Sequence, residues 1–300
     1  MTNDELRPLL LSIAYRMVGT VGDAEDLVQE SFLRLHREEQ EGTEIGSPKA
    51  FLTTVVTRLA IDHLRSARVQ REEYVGEWLP APVLADPGLD PAGHVEMSDT
   101  LSLAFLVLLE SLSPIERAVF LLHDVFGYSF AEVGDVVGKS EENCRQIATR
   151  ARKAVDARRP RFDPSAEERQ RVVERFFAAL RGDVEELAEV LAEDVVHHAD
   201  GGGKAPAVAR PLVGADRVGR FWANLVKQGA RIDGVIDAAT VNGQPGVVLR
   251  TLDGGIISVV SFDVVGGKIQ AIRGVLNPDK LAHLGAVADT AELLRQLRGR

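Results

Sequence analysis

A single cysteine, Cys144, stands in 300 residues, which excludes a disulfide framework and a cysteine-built metal cluster. Apolar runs such as LAFLVLLE, from Leu103, fall far short of the ~20 residues needed to cross a bilayer, so no membrane partner is expected. The N-terminus opens with acid, MTNDELRPLL, where a secretory signal would carry a basic segment, and the expected compartment is the cytoplasm. Aromatic residues make up 5% of the chain, and no internal repeat is visible. Positive charge is the scarcer sign, 35 basic against 45 acidic side chains, for a net charge of −10. Neither a metal nor a cofactor is expected.

The charge is unevenly spread. Residues 48–71 hold five basic and one acidic side chain, and residues 136–160 hold seven and three. Residues 1–47 and 72–135 are acidic, at −6 and −11. Two short basic islands therefore sit between acidic blocks. Phosphate binding depends on local positive charge, so a global −10 permits a nucleic-acid contact while weakening non-specific binding.

Helical periodicity runs from Glu5 to about Arg37, broken at Gly19-Thr20. Ser47-Pro48 starts a helix with Phe51, Leu52, Val55, Val56, Leu59 and Ala60 on its core face and Thr54, Arg58, Asp62 and Arg65 on the other. Pro80, Pro82, Pro87 and Pro91 mark residues 72–97 as a linker. An exposed Trp78 would waste its apolar surface there, so it is expected to dock. Ser113-Pro114 with Glu116 signals another helix start.

The stretch YSFAEVGDVVGKSEENCRQIATRARKAV, Tyr128 to Val155, reads as a helix-turn-helix. Phe130, Val133, Val136 and Val137 form the first helix's buried stripe, Gly138 the turn, and Ser140 the second cap. Cys144, Ile147, Ala148, Ala151 and Val155 face inward, which makes Cys144 a small core residue. Arg145 and Gln146 have the chemistry to contact base edges, and Arg150, Arg152 and Lys153 to contact phosphate. Pattern alone also fits a basic surface helix of any α-hairpin. Likewise Asp23, Glu25, Asp26 and Glu30 suit a helix start for dipole reasons, and suit equally a docking surface for a basic protein. Beyond Ser165 helices give way to Gly-punctuated strands, including a VVGGKI hairpin, and the expected layout is α+β with a curled antiparallel sheet.

Three segments, in order, resemble the extracytoplasmic-function (ECF) sigma factors. GDAEDLVQESFLRL is similar to their polymerase-binding helix and AFLTTVVTRLAIDHLRS to their proximal-element helix. LSPIERAVF through ARKAV is similar to their distal-element helix-turn-helix. The remainder resembles a SnoaL-like domain, with a WLPxP linker (Trp78 to Pro82), a DGGGK loop (Asp200 to Lys204) and an NPDKL segment (Asn277 to Leu281).

The resemblance implies a multidomain chain. Residues 1–71 form an all-α domain for core polymerase and the −10 element, and 98–160 an all-α helix-turn-helix domain for the −35 element. Residues 166–300 form an α+β SnoaL-like cone that regulates them in cis, with no separate anti-sigma protein required. It implies core RNA polymerase at Asp23, Glu25, Asp26, Gln29 and Glu30. Promoter DNA would meet Lys49, Thr54, Arg58, Asp62, Arg65 and Arg68 at the proximal element. At the distal element it would meet Ser140, Asn143, Arg145, Gln146, Thr149, Arg150, Arg152 and Lys153. Interdomain contacts would run through Trp78, Leu79, Pro80, Asp200, Gly201, Gly202, Gly203, Lys204, Asn277, Pro278, Asp279, Lys280 and Leu281. Only Phe51 is aromatic on the proximal-element helix, so duplex opening should depend on a well-matched promoter, with a captured base held near the EGTEIGS loop.

No catalytic residue is expected. His197, His198 and Asp200 nonetheless offer an acid–base set, although strand alternation puts at most one histidine inside a cone. A small molecule or lipid-like signal in the cone is a further possibility. Two rivals stand beside the sigma reading: a helix-turn-helix regulator independent of polymerase, and a SnoaL-type enzyme fused to a DNA-binding half.

Overall fold

The computed structural model describes residues 3–71, 74–84, 99–157, 165–181, 186–231 and 234–299. Much of the linker and the boundary around Arg158–Pro164 thus lie outside the described residues. The chain divides into two compact units, residues 1–73 with 105–159, and 74–104 with 160–300.

The first unit is helical. α1 (Asn3–Val18), α2 (Val21–Gln40) and α3 (Pro48–Arg71) pack on one another, burying Leu6, Leu10, Ile13, Met17, Val28, Leu52 and Val56 to 1% exposure or less. α4 (Leu103–Leu109) leads into α5 (Pro114–Phe120), α6 (Phe130–Val137) and α7 (Glu141–Asp156). Ser113 closes a capping box with Glu116, and Ser129 closes a second with Glu132. Each box satisfies backbone N–H groups that the first helical turn leaves without partners. α6 stops at Gly138, which is left-handed at φ 67°, ψ 44°, and Ser140 accepts from Asn143 N to start α7. Every inward residue expected on α7 is buried. Phe130 and Val137 are corrections: both are half-buried, and Phe130 stacks on His123, with ring centroids 3.8 Å apart.

The second unit carries α8 (Ala166–Arg181), the short α9 (Leu187–Val190) and α10 (Ala215–Arg231). They pack with a six-stranded sheet of order β2-β1-β6-β5-β4-β3. Its strands are β1 (Leu191–Asp200), β2 (Leu212–Val213), β3 (Val235–Val241), β4 (Gln244–Arg250), β5 (Ile256–Val265) and β6 (Lys268–Val275). β3–β4 turns at Asn242-Gly243 and β5–β6 at Gly266-Gly267, all four with positive φ, as two-residue hairpins require. The sheet is not purely antiparallel: β1 runs parallel to β6. The reason is connectivity. β1 reaches β6 only through α10 and four intervening strands, the long crossover that a parallel pair needs.

The few aromatic residues are concentrated here. Phe176, Trp222 and Phe262 are 0–1% exposed, and the first two meet edge to face at 5.6 Å. On the C-terminal side α11 (Pro278–Leu281) and α12 (Thr290–Gly299) follow the sheet. No helix among the described residues is long and apolar enough to cross a membrane.

Candidate nucleic-acid interface and linker anchor

α7 presents a polar face because its apolar residues recur at helical spacing on the other side. Ser140, Asn143, Arg145, Gln146, Thr149, Arg150 and Lys153 are exposed. Two of the expected arginines already have partners. Arg145 pairs with Glu141 one turn back and lies 5.5 Å over the Phe130 ring. Arg152 donates to Asp124 at 2.6 Å. Thr149, Arg152, Lys153, Asp156 and Ala157 line an open depression of about 480 Å³ along the basic face. Gly134 is needed by this geometry: a Cβ there would lie 2.7 Å from the Lys139 carbonyl.

α3 shows a mixed picture. Leu52, Val56 and Ala60 are buried as expected, Phe51, Val55 and Leu59 are only half-buried, and Thr53 and Thr57, which the pattern did not single out, are buried. Lys49, Arg58, Asp62 and Arg65 are exposed, Thr54 is half-buried, and Arg65 pairs with Asp62 at 3.1 Å. Arg68 lies in the helix, but its side chain falls outside the described residues. Arg58 is engaged at the end of α6, where Nε donates to Val136 O and a terminal nitrogen to Asp135 O, both at 2.8 Å. Those carbonyls belong to the last turn of a helix, where cations are favoured. Beside it Thr53 and the Tyr128 hydroxyl are 3.1 Å apart. On α2, Glu25, Asp26 and Gln29 are exposed, Asp23 and Glu30 half-buried, and Glu30 pairs with Arg34 at 2.9 Å.

The second unit brings the expected interdomain residues together around one carboxylate. Asp200 is 0% exposed. Its Oδ1 accepts from the Tyr74 hydroxyl at 2.6 Å, and its Oδ2 accepts from Leu79 N at 2.8 Å and Lys280 Nζ at 2.6 Å. Lys280 also donates to Leu79 O at 2.5 Å, and its ammonium lies 4.3 Å from the Trp78 ring centroid. Asn277 caps α11 and donates to Tyr74 at 2.8 Å. Burial, then the bond to Asp200, pushes the Tyr74 phenol well above its ordinary value. Lys204 reaches Asp279 at 2.5 Å. The glycines serve close approach: Gly202 has φ 57°, and a Cβ on it would overlap the Asn277 amide.

His197 and His198 do face opposite ways. His197 turns toward Phe221 and Trp222 of α10, where burial chiefly, and then the neighbouring His198, lowers its pKa to about 4. His198 turns to the linker and meets Glu77 at 2.6 Å. Asp200, two residues on from His198, shares that second face. The acid–base set is thus not assembled: among the described residues no carboxylate pairs with His197, and Asp200 is occupied by the linker. Phe176, Trp222 and Phe262 are fully buried in this domain, with Trp222 also against the His197 ring. Among the described residues no group of three or more His, Cys, Asp or Glu could hold a metal.

Sequence reasoning missed Tyr74, Glu77 and Asn242. Asn242 could have been found from the Asn-Gly hairpin signal between two apolar runs.

Residues 4–69 match the Sigma-70 region 2 family, 102–155 Sigma-70 region 4, and 173–275 the SnoaL-like domain. The sequence is 42% identical over 290 residues to the ECF RNA polymerase sigma factor SigJ of Mycobacterium tuberculosis, covering 92% of this chain and 91% of that one. The chain belongs to the ECF RNA polymerase sigma factors. The crystal structure of M. tuberculosis SigJ superposes with a TM-score of 0.74 at 39% identity, over 93% of this chain and 96% of that one. The M. tuberculosis ECF sigma factor SigG is 31% identical over 62% of this chain and 57% of its own. This protein is therefore an alternative sigma factor, a transcription initiation factor and not an enzyme, whose family binds core RNA polymerase and promoter DNA. Two all-α sigma-type helical domains and a C-terminal α+β SnoaL-like domain make up the chain. The polymerase-independent regulator and the fused enzyme are set aside by the same finding.

Proposed function

We propose a division of labour along this ECF sigma factor. Residues 1–71 would dock on core polymerase through Asp23, Glu25, Asp26, Gln29 and Glu30, and read the −10 element through the outer face of α3. Residues 98–160 would read the −35 element through α7. Residues 166–300 would control both in cis, in the place of a separate anti-sigma protein, with the whole acting in the cytoplasm where polymerase works. The observation that carries this reading is the Asp200 node. A buried charge of the C-terminal domain holds the backbone and the Trp78 side chain of the segment joining the two promoter-reading parts.

The test is in vitro transcription with core polymerase, comparing the full chain with its Lys280→Met variant. A change in initiation of either sign supports control through the linker and gives its direction. Equal initiation would sink it. A small polar ligand in the cone is a second reading, favoured by two buried ring nitrogens, His197 Nδ1 and Trp222 Nε1, that have no hydrogen-bond partner among the described residues. A change in Trp222 fluorescence on adding candidate ligands to the full chain, absent in Trp222→Phe, would support it.

A further inference from the structure

Asn242 ties two distant points of the linker together. It occupies the first turn position of the β3–β4 hairpin, with φ 51°, and is 1% exposed. Its backbone N–H donates to Val83 O at 2.8 Å, and its Oδ1 accepts from Val83 N at 2.8 Å. Next to it Leu84 forms an antiparallel bridge with Val241. Its Nδ2 donates to Leu101 O at 2.9 Å. Val83 and Leu101 are separated by 17 residues, yet one side chain holds both. A two-residue turn needs only the left-handed backbone, so the turn does not by itself explain a buried asparagine with three linker bonds.

We propose that Asn242 is a positioning residue that sets the reach of the tether between the two promoter-reading helices, and thereby the promoter spacing this sigma factor accepts. The proposal rests on assigning α3 and α7 to the two promoter elements. In the structure α3 is packed on α6, the first helix of the helix-turn-helix. Reading two separated elements requires these helical parts to move apart, and each added base pair between the elements adds about 3.4 Å. With Asn242 in place, the residues between Val83 and Leu101 contribute nothing to the tether. Once released they add contour of up to about 3.5 Å each, and the gain in reach is capped at about 28 Å by the eight residue steps from Ala157 to Ser165 that also join the helix-turn-helix to the second unit. The effective concentration of a tethered site drops toward zero when the tether cannot span the gap. The closed tether therefore admits short spacers and rejects long ones.

Transcription by the full chain with core polymerase, on a promoter whose spacer is lengthened one base pair at a time, tests this. Asn242→Gly keeps the left-handed turn and removes the side-chain bonds to Val83 and Leu101. Asn242→Asp, nearly isosteric, keeps the acceptor for Val83 and loses the donor to Leu101, and serves if the glycine variant fails to fold. Relative to its own optimum, the wild type should lose at least about tenfold when the spacer grows by about three base pairs, and each variant less than about threefold. Variants that lose output equally at every spacer, or whose profiles coincide with wild type, overturn the proposal. A wild type indifferent to spacer length overturns it too, together with the promoter assignment beneath it.

Discussion

Asp200 and Lys280 meet 2.6 Å apart, 0% and 7% exposed, and the backbone of Leu79 bonds to both of them. A linker held this way is fastened by main-chain bonds to a buried ion pair, so its register on the sheet does not depend on its side chains alone.

Removing one member of a buried pair leaves the other charge without compensation, at a cost of about 3–5 kcal/mol. Asp200→Asn should therefore lower the stability of the second unit by an amount of that order in chemical denaturation. Combining it with Lys280→Met should recover part of the loss. If the two single losses simply add, the pair is not coupled and the node is misread.

The neutral His197 inside the cone makes stability sensitive to acid. Its pKa is lowered to about 4 from 6.5, so the unfolded chain takes up a proton first as pH falls. Its stabilising contribution is full above pH 6.5 and is lost between 6.5 and about 4. The loss is on the order of 3 kcal/mol. Urea titrations at pH 7.5 and 5 should show a smaller pH-dependent drop for His197→Leu than for wild type. Identical slopes would count against burial as the cause.

On α7 the exposed residues should separate by role. Gln146→Ala should cost about 1–3 kcal/mol on the matched −35 sequence and relax preference at one position. Lys153→Ala should weaken binding evenly across sequences and reduce the salt slope by about one. Asp124→Asn frees Arg152 and should tighten binding at low salt. Binding isotherms across salt, with polymerase present, distinguish the three. A sequence-independent loss in Gln146→Ala would remove it from base readout.

Gly134→Ala places a methyl against the Lys139 carbonyl, with the cap of α7 one residue beyond. The variant should be destabilised by about 1–3 kcal/mol and should lose −35-dependent initiation before −10-dependent contacts. Thermal melting and promoter binding with each element scrambled would show it. A variant as stable as wild type would mean that the turn relaxes freely.

The helical half was legible where one-sided periodicity coincides with a cap. The α7 face, the Gly138 stop and the Ser113 box followed from local chemistry, and the two-faced placement of His197 and His198 followed from strand alternation. What was not legible depended on contacts between distant segments. The parallel β1–β6 pair, the role of Tyr74 and the engagement of Arg58 at the end of α6 require partners about 70 or more residues away, and a local pattern carries no record of them. Arg145 and Arg152 show the same limit on a smaller scale. Their outward placement was read correctly, while the acidic partners that hold them were not.

The discontinuity of the two units has a temporal side. The linker leaves the ribosome well before the strand and helix that fasten it, with 195 residues between Leu84 and Lys280. At about 5–20 residues per second, roughly 10 to 40 seconds pass between them. For the later part of that interval, once α7 has emerged, both helical parts are complete and Lys280 does not yet hold the segment that joins them. Each newly made molecule thus passes through an unfastened youth, and restraint arrives only with the last stretch of translation.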